Sequence, residues 1–417
     1  MQTNLPADFI ATSAGQRANE ILRSCVHCGF CNATCPTYQL SGDELDGPRG
    51  RIYLIKELLE GGYDSTRAMT HLDRCLTCRA CETTCPSGVA YGELAEIARV
   101  RLGPSRSGLN GLMRQVLRWL IPYPKRLSPL VTLASKARLV LPKQLRRYLP
   151  EPTQSKVRLP ADFQSQPRQK TDGDHDAVVE ALPSRQVVIL QGCVQRVVTA
   201  EVNTHLQTLL AARGIKMMTV QAEACCGALD LHLGAESAAL KKIKANIDAL
   251  APLVGLVDAI ISTASGCGVT FKDYPRLLAD DPEYAEPAVA VAGLVQDVAE
   301  YVATADLDLA VAQKGIKVAW HPPCSLQHGQ QVTGVVEELL TRAGCELVPV
   351  ADAHLCCGSA GTYSILQPAR AKALREEKLE ALQKQSPDVI VTANVGCQTF
   401  LAQATPVAVR HWIELLK

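Results

Sequence analysis

The chain has 417 residues, 43 Lys or Arg against 42 Asp or Glu, and is 47% hydrophobic and 20% charged. That length exceeds what one hydrophobic core usually serves, so two or three domains are expected, while the composition excludes a wholly disordered chain and a net charge of +1 excludes a globally basic nucleic-acid binder. The first twenty residues lack the basic start, apolar stretch and small-residue cleavage site of a secretory signal, and no apolar run approaches the ~18 residues of a spanning helix, so the expectation is a cytoplasmic protein with at most peripheral membrane contact.

Seventeen cysteines in an intracellular chain point to metal before disulfides, because reducing compartments keep thiols free. Sixteen of them fall into ordered groups, and the leftover, Cys345, is expected in the core as a small apolar residue.

In chain order, the first region is residues 1–105. Cys25, Cys28, Cys31 and Cys35 before Pro36 form C-x2-C-x2-C-x3-C-P, and Cys75, Cys78, Cys81 and Cys85 before Pro86 repeat it. In this run three close thiolates take three corners of a cubane while the fourth, set apart by its longer spacing and the proline, reaches the neighbouring cube. The expected ligand sets are therefore Cys25, Cys28, Cys31 and Cys85 for one [4Fe-4S] cluster, and Cys75, Cys78, Cys81 and Cys35 for the second. Two zinc sites are the alternative, but zinc has no use for the third cysteine of each run. Between the runs, Pro48 sits as a first-turn proline before Ile52, Leu54, Ile55, Leu58 and Leu59 at helical spacing, which predicts a helical ferredoxin-type domain. Arg49 and Arg51 flank that helix start, where ion-paired or solvated arginine competes with a cluster-facing role.

Residues 106–150 follow. Residues 101 to 150 hold eleven Lys or Arg and no Asp or Glu. Arg114, Arg118, Lys125, Arg126, Lys136, Arg138, Lys143, Arg146 and Arg147 interleave with Leu112, Val116, Trp119, Leu120, Ile121, Leu130, Val131, Leu133 and Leu141. Leu112, Val116 and Trp119 share a helical face opposite Arg114 and Arg118, and Pro122, Pro124 and Pro129 are expected to split the stretch into two short helices. Such a segment suits an anionic membrane surface or an acidic partner subunit. Residues 151–183, with PTQSK and TDGDHD, read as a polar linker.

From residue 184 a strand-helix-strand pattern occurs twice, over 184–308 and 309–417. Predicted strands at 187–190, 215–220 and 259–263 lead to Cys193, to Cys225-Cys226-Gly227 and to Cys267; strands at 316–320, 347–350 and 389–393 relate in the same way to Cys324, Cys356-Cys357-Gly358 and Cys397. The cysteine steps are 32, 1 and 41, then 32, 1 and 40. Such agreement marks an internal repeat. Alternating strands and helices imply small parallel sheets whose carboxyl ends gather ligands, so each set of four should converge. The fold class is multidomain, α plus α/β: a helical ferredoxin-type domain with two cubane-binding loops, then two repeated parallel α/β cysteine-rich domains.

Taken together, the paired loops and the two Cys…Cys-Cys-Gly…Cys repeats resemble the iron-sulfur subunits of bacterial glycolate oxidase. More broadly they resemble those of lactate-utilisation and anaerobic glycerol-3-phosphate dehydrogenases; GDELDGPRGRIY (42 to 53) and HPPCSLQHGQ (321 to 330) favour the glycolate branch. The repeats are similar to the cysteine-rich (CCG) domain of heterodisulfide reductase, which has five cysteines per copy; here Ala264 and Asn394 stand where the extra one would be. Cys193, Cys225, Cys226 and Cys267 are a third candidate site, and Cys324, Cys356, Cys357 and Cys397 a fourth, with an iron-sulfur cluster, zinc or free thiols open in each. The resemblance implies an oxidoreductase subunit without a substrate site of its own. FAD and glycolate oxidation, or D-lactate oxidation, would belong to partner flavoprotein subunits, and electrons would go on to quinone from the cytoplasmic face of the inner membrane. Consistent with this, no dinucleotide or P-loop fingerprint occurs. A stand-alone thiol or disulfide reductase and a redox sensor are the competing classes. His321, His328 and His354 near the repeat cysteines are expected to be hydrogen-bonded structural residues, with proton handling near quinone as the alternative.

Overall fold

The computed structural model describes residues 1–62, 65–103, 108–140 and 185–417, without 219, 221, 306, 308 and 312 and, over 135–140, without side chains. The region expected as a linker and the basic residues beyond 140 lie outside the described residues.

The amino-terminal region is helical among its described residues. Ser13–Ser24 is capped by Thr12, whose side chain accepts from the Gly15 amide, and Pro48–Leu59 begins on its proline. These helices and Tyr91–Leu102 bury Ile21, Leu22, Ile52, Ile55, Leu59, Leu94 and Leu102 in one core.

Helix Gly108–Leu120 comes next, then Pro124–Val140. Pro124 opens the second helix, but Pro129 lies inside it and does not split it. Its ring removes one backbone donor and crowds the carbonyl of Lys125, at an exposed position of the helix.

Each repeat folds around a four-stranded all-parallel sheet. In the first, β1 (Gln186–Ile189), β2 (Lys216–Met218), β3 (Ala259–Ser262) and β4 (Val295–Asp297) lie in the order β2-β1-β3-β4. In the second, β5 (Lys317–His321), β6 (Glu346–Leu347), β7 (Val389–Thr392) and β8 (Ala408–His411) take the equivalent order β6-β5-β7-β8. The central strands are buried except at the first residues of β1 and β5, as sheets covered on both faces require. One apolar core holds Val187, Ile189 and Ile261 together with Val318, Val391 and Trp412, so the repeats share an interior. Cys345 lies buried in it.

The strand ends of the repeats face each other. Ser265 Oγ lies 2.8 Å from Ser325 Oγ, the Ser265 amide donates to the Ala393 carbonyl at 3.1 Å, and His411 Nε2 is 2.9 Å from the Thr263 carbonyl. The ferredoxin-type region packs against both repeats. Arg276 pairs with Glu96 at 3.0 Å, Arg79 with Asp273 at 3.5 Å, and Arg370 with the buried Asp46 at 2.9 Å.

Candidate metal centres

The two amino-terminal loops have matching backbones. His27 and Thr77, each just before the second cysteine of its run, have φ of 56° and 54°; Gly29 and Arg79, just after it, have 85° and 62°. Left-handed residues at these positions turn successive amides inward, a concavity that suits anionic groups including iron-sulfur cores. The Thr77 amide lies 3.4 Å from Cys75 Sγ, and the Tyr91 hydroxyl donates to the same sulfur at 3.4 Å.

The loops enclose two cavities. One is lined by Cys25, Cys28, Cys31 and Cys85; the other by Cys35, Cys75 and Cys78. Cys81, Pro48 and Tyr91 line both, so one layer of side chains divides them. The fourth cysteine of each run thus sits with the other run's triplet.

Burial pushes the Cys25, Cys35 and Cys81 thiols up, and Cys31 up to about 11. Buried sulfurs of this kind hold protons at neutral pH unless a metal displaces them. Such a donor set, on amide-rich concave backbone, fits thiolate-ligated clusters.

Around the second cavity Arg51 is buried, donating to the His71 carbonyl at 2.8 Å and to Thr37 Oγ1 at 3.0 Å, with Asp46 at 3.8 Å. It is ion-paired and lines the cavity as well, so the two roles weighed from sequence coincide. Arg49 lines the first cavity and pairs with Glu44 at 2.7 Å. Cys28 is exposed, and Val26, Phe30 and Tyr53 nearby are exposed apolar side chains.

In the repeats the Cys-Cys-Gly turns need their glycine. Gly227 and Gly358 have φ of 94° and 85°, and a Cβ on Gly358 would stand 2.7 Å from the Ala371 carbonyl oxygen. Contacts run from Cys193 through Cys225 and Cys226 to Cys267 in the first set, and from Cys324 through Cys356 and Cys357 to Cys397 in the second. In the first set, Cys193 and Cys226 hold the Cys225 thiol down and are themselves pushed up. In the second, Cys324 lowers Cys356, but Cys357 and burial outweigh it and push Cys356 up to about 12. The sets also differ in their surroundings: Cys78 of the second loop contacts Cys324, and both join Leu76, Cys356 and Tyr363 in an apolar cluster.

Ala264 and Asn394 are helix N-caps before Cys267 and Cys397. Asn394 Nδ2 approaches Cys397 Sγ at 3.7 Å and its Oδ1 accepts from the Gly266 amide at 3.4 Å, so it ties the second set to the first repeat. His328 is hydrogen-bonded as expected, at 2.9 Å to Thr83 Oγ1 and 3.1 Å to the His354 carbonyl. His321 departs from the expectation: it is 1% exposed and neither ring nitrogen has a hydrogen-bond partner among the described residues.

Helix Gly108–Leu120 turns its basic residues inward. Arg114 pairs with Asp73 at 2.7 Å and Arg118 with Asp230 at 2.7 Å, fastening the helix to the ferredoxin-type region and to the first repeat. Leu109, Leu112, Met113, Val116 and Trp119 are left exposed, Leu109 to 87% and Trp119 to 58%. No described helix is long and apolar enough to cross a membrane.

Comparison with known proteins agrees with this layout. A 4Fe-4S dicluster domain model matches residues 21–89, and a Cysteine-rich domain model matches 187–272 and 318–402. The glycolate oxidase iron-sulfur subunit of Escherichia coli (strain K12) is 44% identical over all of this chain and 98% of its own length. The probable glycolate oxidase iron-sulfur subunit of Bacillus subtilis (strain 168) is 32% identical over 90% of this chain and 87% of its own. Lactate utilization protein A of Oceanobacillus iheyensis is 26% identical over 49% of this chain and 83% of its own.

Proposed function

The chain belongs to the family of glycolate oxidase iron-sulfur subunits, and on that premise we propose that it is the electron-transfer subunit of a glycolate dehydrogenase complex, with D-lactate as a further substrate of the complex. The observation that carries this reading is the pair of cysteine-lined cavities divided only by Cys81, Pro48 and Tyr91. Cys25, Cys28, Cys31 and Cys85 would hold one [4Fe-4S] cluster and Cys75, Cys78, Cys81 and Cys35 the other. When bound, such clusters supply one-electron carriers that divide the electron pair of a reduced flavin.

The chain's own residues give the pair a direction. At the first cavity, exposed Cys28 with Val26, Phe30 and Tyr53 offers an apolar rim to an FAD-bearing partner subunit. At the second, Cys78 touches Cys324, which turns this side toward the repeats. Arg51 places a buried positive charge there, favouring the reduced, more negative state of whatever those sulfurs hold. Cys193, Cys225, Cys226 and Cys267, and Cys324, Cys356, Cys357 and Cys397, are proposed as a third and a fourth metal centre.

The outward apolar face of Gly108–Leu120 supports peripheral attachment to the cytoplasmic face of the inner membrane, where quinone is within reach. Burial of the second cysteine set counts against a chain acting alone on a disulfide substrate. The test is co-purification: a flavoprotein partner with glycolate-dependent dye reduction supports the proposal, and a chain that never associates with a flavoprotein contradicts it.

A further inference from the structure

Three donors in the second repeat stand unusually close. His321 ends β5, Cys357 lies in the Cys-Cys-Gly turn, and Cys397 is in the first turn of helix Val395–Ala402. One ring nitrogen of His321 and the two Sγ atoms lie within 4.8 Å of one another. Among the described residues, no three sulfurs of the amino-terminal loops or of the first repeat meet that distance.

A tetrahedral ion with metal–sulfur bonds of about 2.3 Å and metal–nitrogen bonds of about 2.0 Å sets its ligand atoms under ~4 Å apart. The observed atoms all lie within 4.8 Å, a bound that no cysteine triple of the cubane-type loops meets among the described residues. The imidazole adds an independent sign. A fully buried histidine with both nitrogens unpartnered forgoes stabilisation unless something binds there. Across the sheet its register partner Thr392 is also fully buried, with a hydroxyl that has no partner among the described residues. Lys378, the buried cation nearby, donates to the Asp352 and Ala353 carbonyls and not to the ring. At the position corresponding to His321, three residues before the first cysteine, the first repeat has Leu190, which packs in its core. The repeats are therefore chemically unequal at this point.

We propose that His321, Cys357 and Cys397 bind one thiophilic divalent ion, zinc or ferrous iron, with Cys356 the adjacent sulfur, so that the second repeat carries a mixed nitrogen-sulfur centre the first cannot form. This rests on the reading of the second cysteine set as a metal centre and specifies its ligands. The ion would pin the ends of β5, the Cys-Cys-Gly turn and the helix after β7 together, beside the Cys324–Cys78 contact.

The test uses the full chain purified without oxygen, with metal analysis, X-ray absorption at the zinc edge and Mössbauer spectra for iron outside clusters. Wild type is expected to hold about one such ion per chain with imidazole scattering in its shell. His321→Leu, the first repeat's residue, should lose the ion to a chelator at least about tenfold faster. His321→Cys should keep it in an all-sulfur shell, and the paramagnetic signals of the amino-terminal centres report that both variants are folded. An ion retained by His321→Leu with an unchanged shell overturns the histidine ligand and leaves a metal centre on the cysteines. A four-iron cluster at the site overturns the single ion. No metal there in any variant overturns the centre itself.

Discussion

Cys35 and Cys85 decide whether two sites are built from two loops or each loop builds its own. The ligand-exchange arrangement predicts that Cys35→Ser impairs the centre on Cys75, Cys78 and Cys81 and spares the other; spectra showing loss of the Cys25, Cys28 and Cys31 centre would contradict it. Asp297 gives a second test. It is fully buried, and burial raises its carboxyl to about 7 against bonds from the Ala299 amide and Gln330. The folded state thus keeps a proton that the unfolded chain releases near pH 4, so this group's contribution falls as pH rises from about 4 to 7 and is then flat. Asp297→Asn keeps the helix cap and removes that loss. Its stability relative to wild type should grow by a few kcal/mol, at most about 4, between pH 4.5 and 7.5 in paired unfolding midpoints. A relative stability that shrank over that range would contradict the assignment. Cysteine spacing is local chemistry and was readable from sequence; the isolation of His321 was not, because a histidine three residues before a cysteine looks the same whether its partners are carbonyls or sulfurs.

The strands leading to cysteines could be placed from their β-branched runs, but not all their lengths could: the strand expected over 347–350 is only Glu346–Leu347, an edge strand fixed by pairing with β5. The fourth strand of each sheet, Val295–Asp297 and Ala408–His411, could not: one has three residues after an alanine-rich helix, the other follows Pro406, and both are fixed by pairing with β3 and β7. The basic segment shows a similar limit. Its helical period was visible, but which face turned outward depended on Asp73 and Asp230, acids supplied by distant elements. If that outward face meets lipid, Leu112→Glu with Trp119→Glu should reduce sedimentation with anionic vesicles about tenfold or more, leaving the amino-terminal paramagnetic signals unchanged. Undiminished vesicle binding would show that this face does not carry the lipid contact.

Across the whole molecule, Asp46 joins the halves. It is buried among His71 at 2.8 Å, Arg74 at 3.2 Å and Arg370 of the second repeat at 2.9 Å. Arg370→Ala should loosen the ferredoxin-type region from the repeat by about 1–3 kcal/mol, seen as faster proteolysis between them, since Asp46 keeps its other partners. An unchanged digestion pattern would remove Arg370 from the interface's energetics. Domain order and the repeat were legible from the chain, whereas the juxtaposition of Cys78 with Cys324 belongs to docking and leaves no local trace. The most direct measurement is iron and sulfide analysis with paramagnetic resonance on the reduced, anaerobic chain. The account predicts at least about eight iron and eight sulfide per chain and two reduced centres that couple magnetically across the Cys81 wall; zinc in place of iron, or one isolated centre, would contradict it.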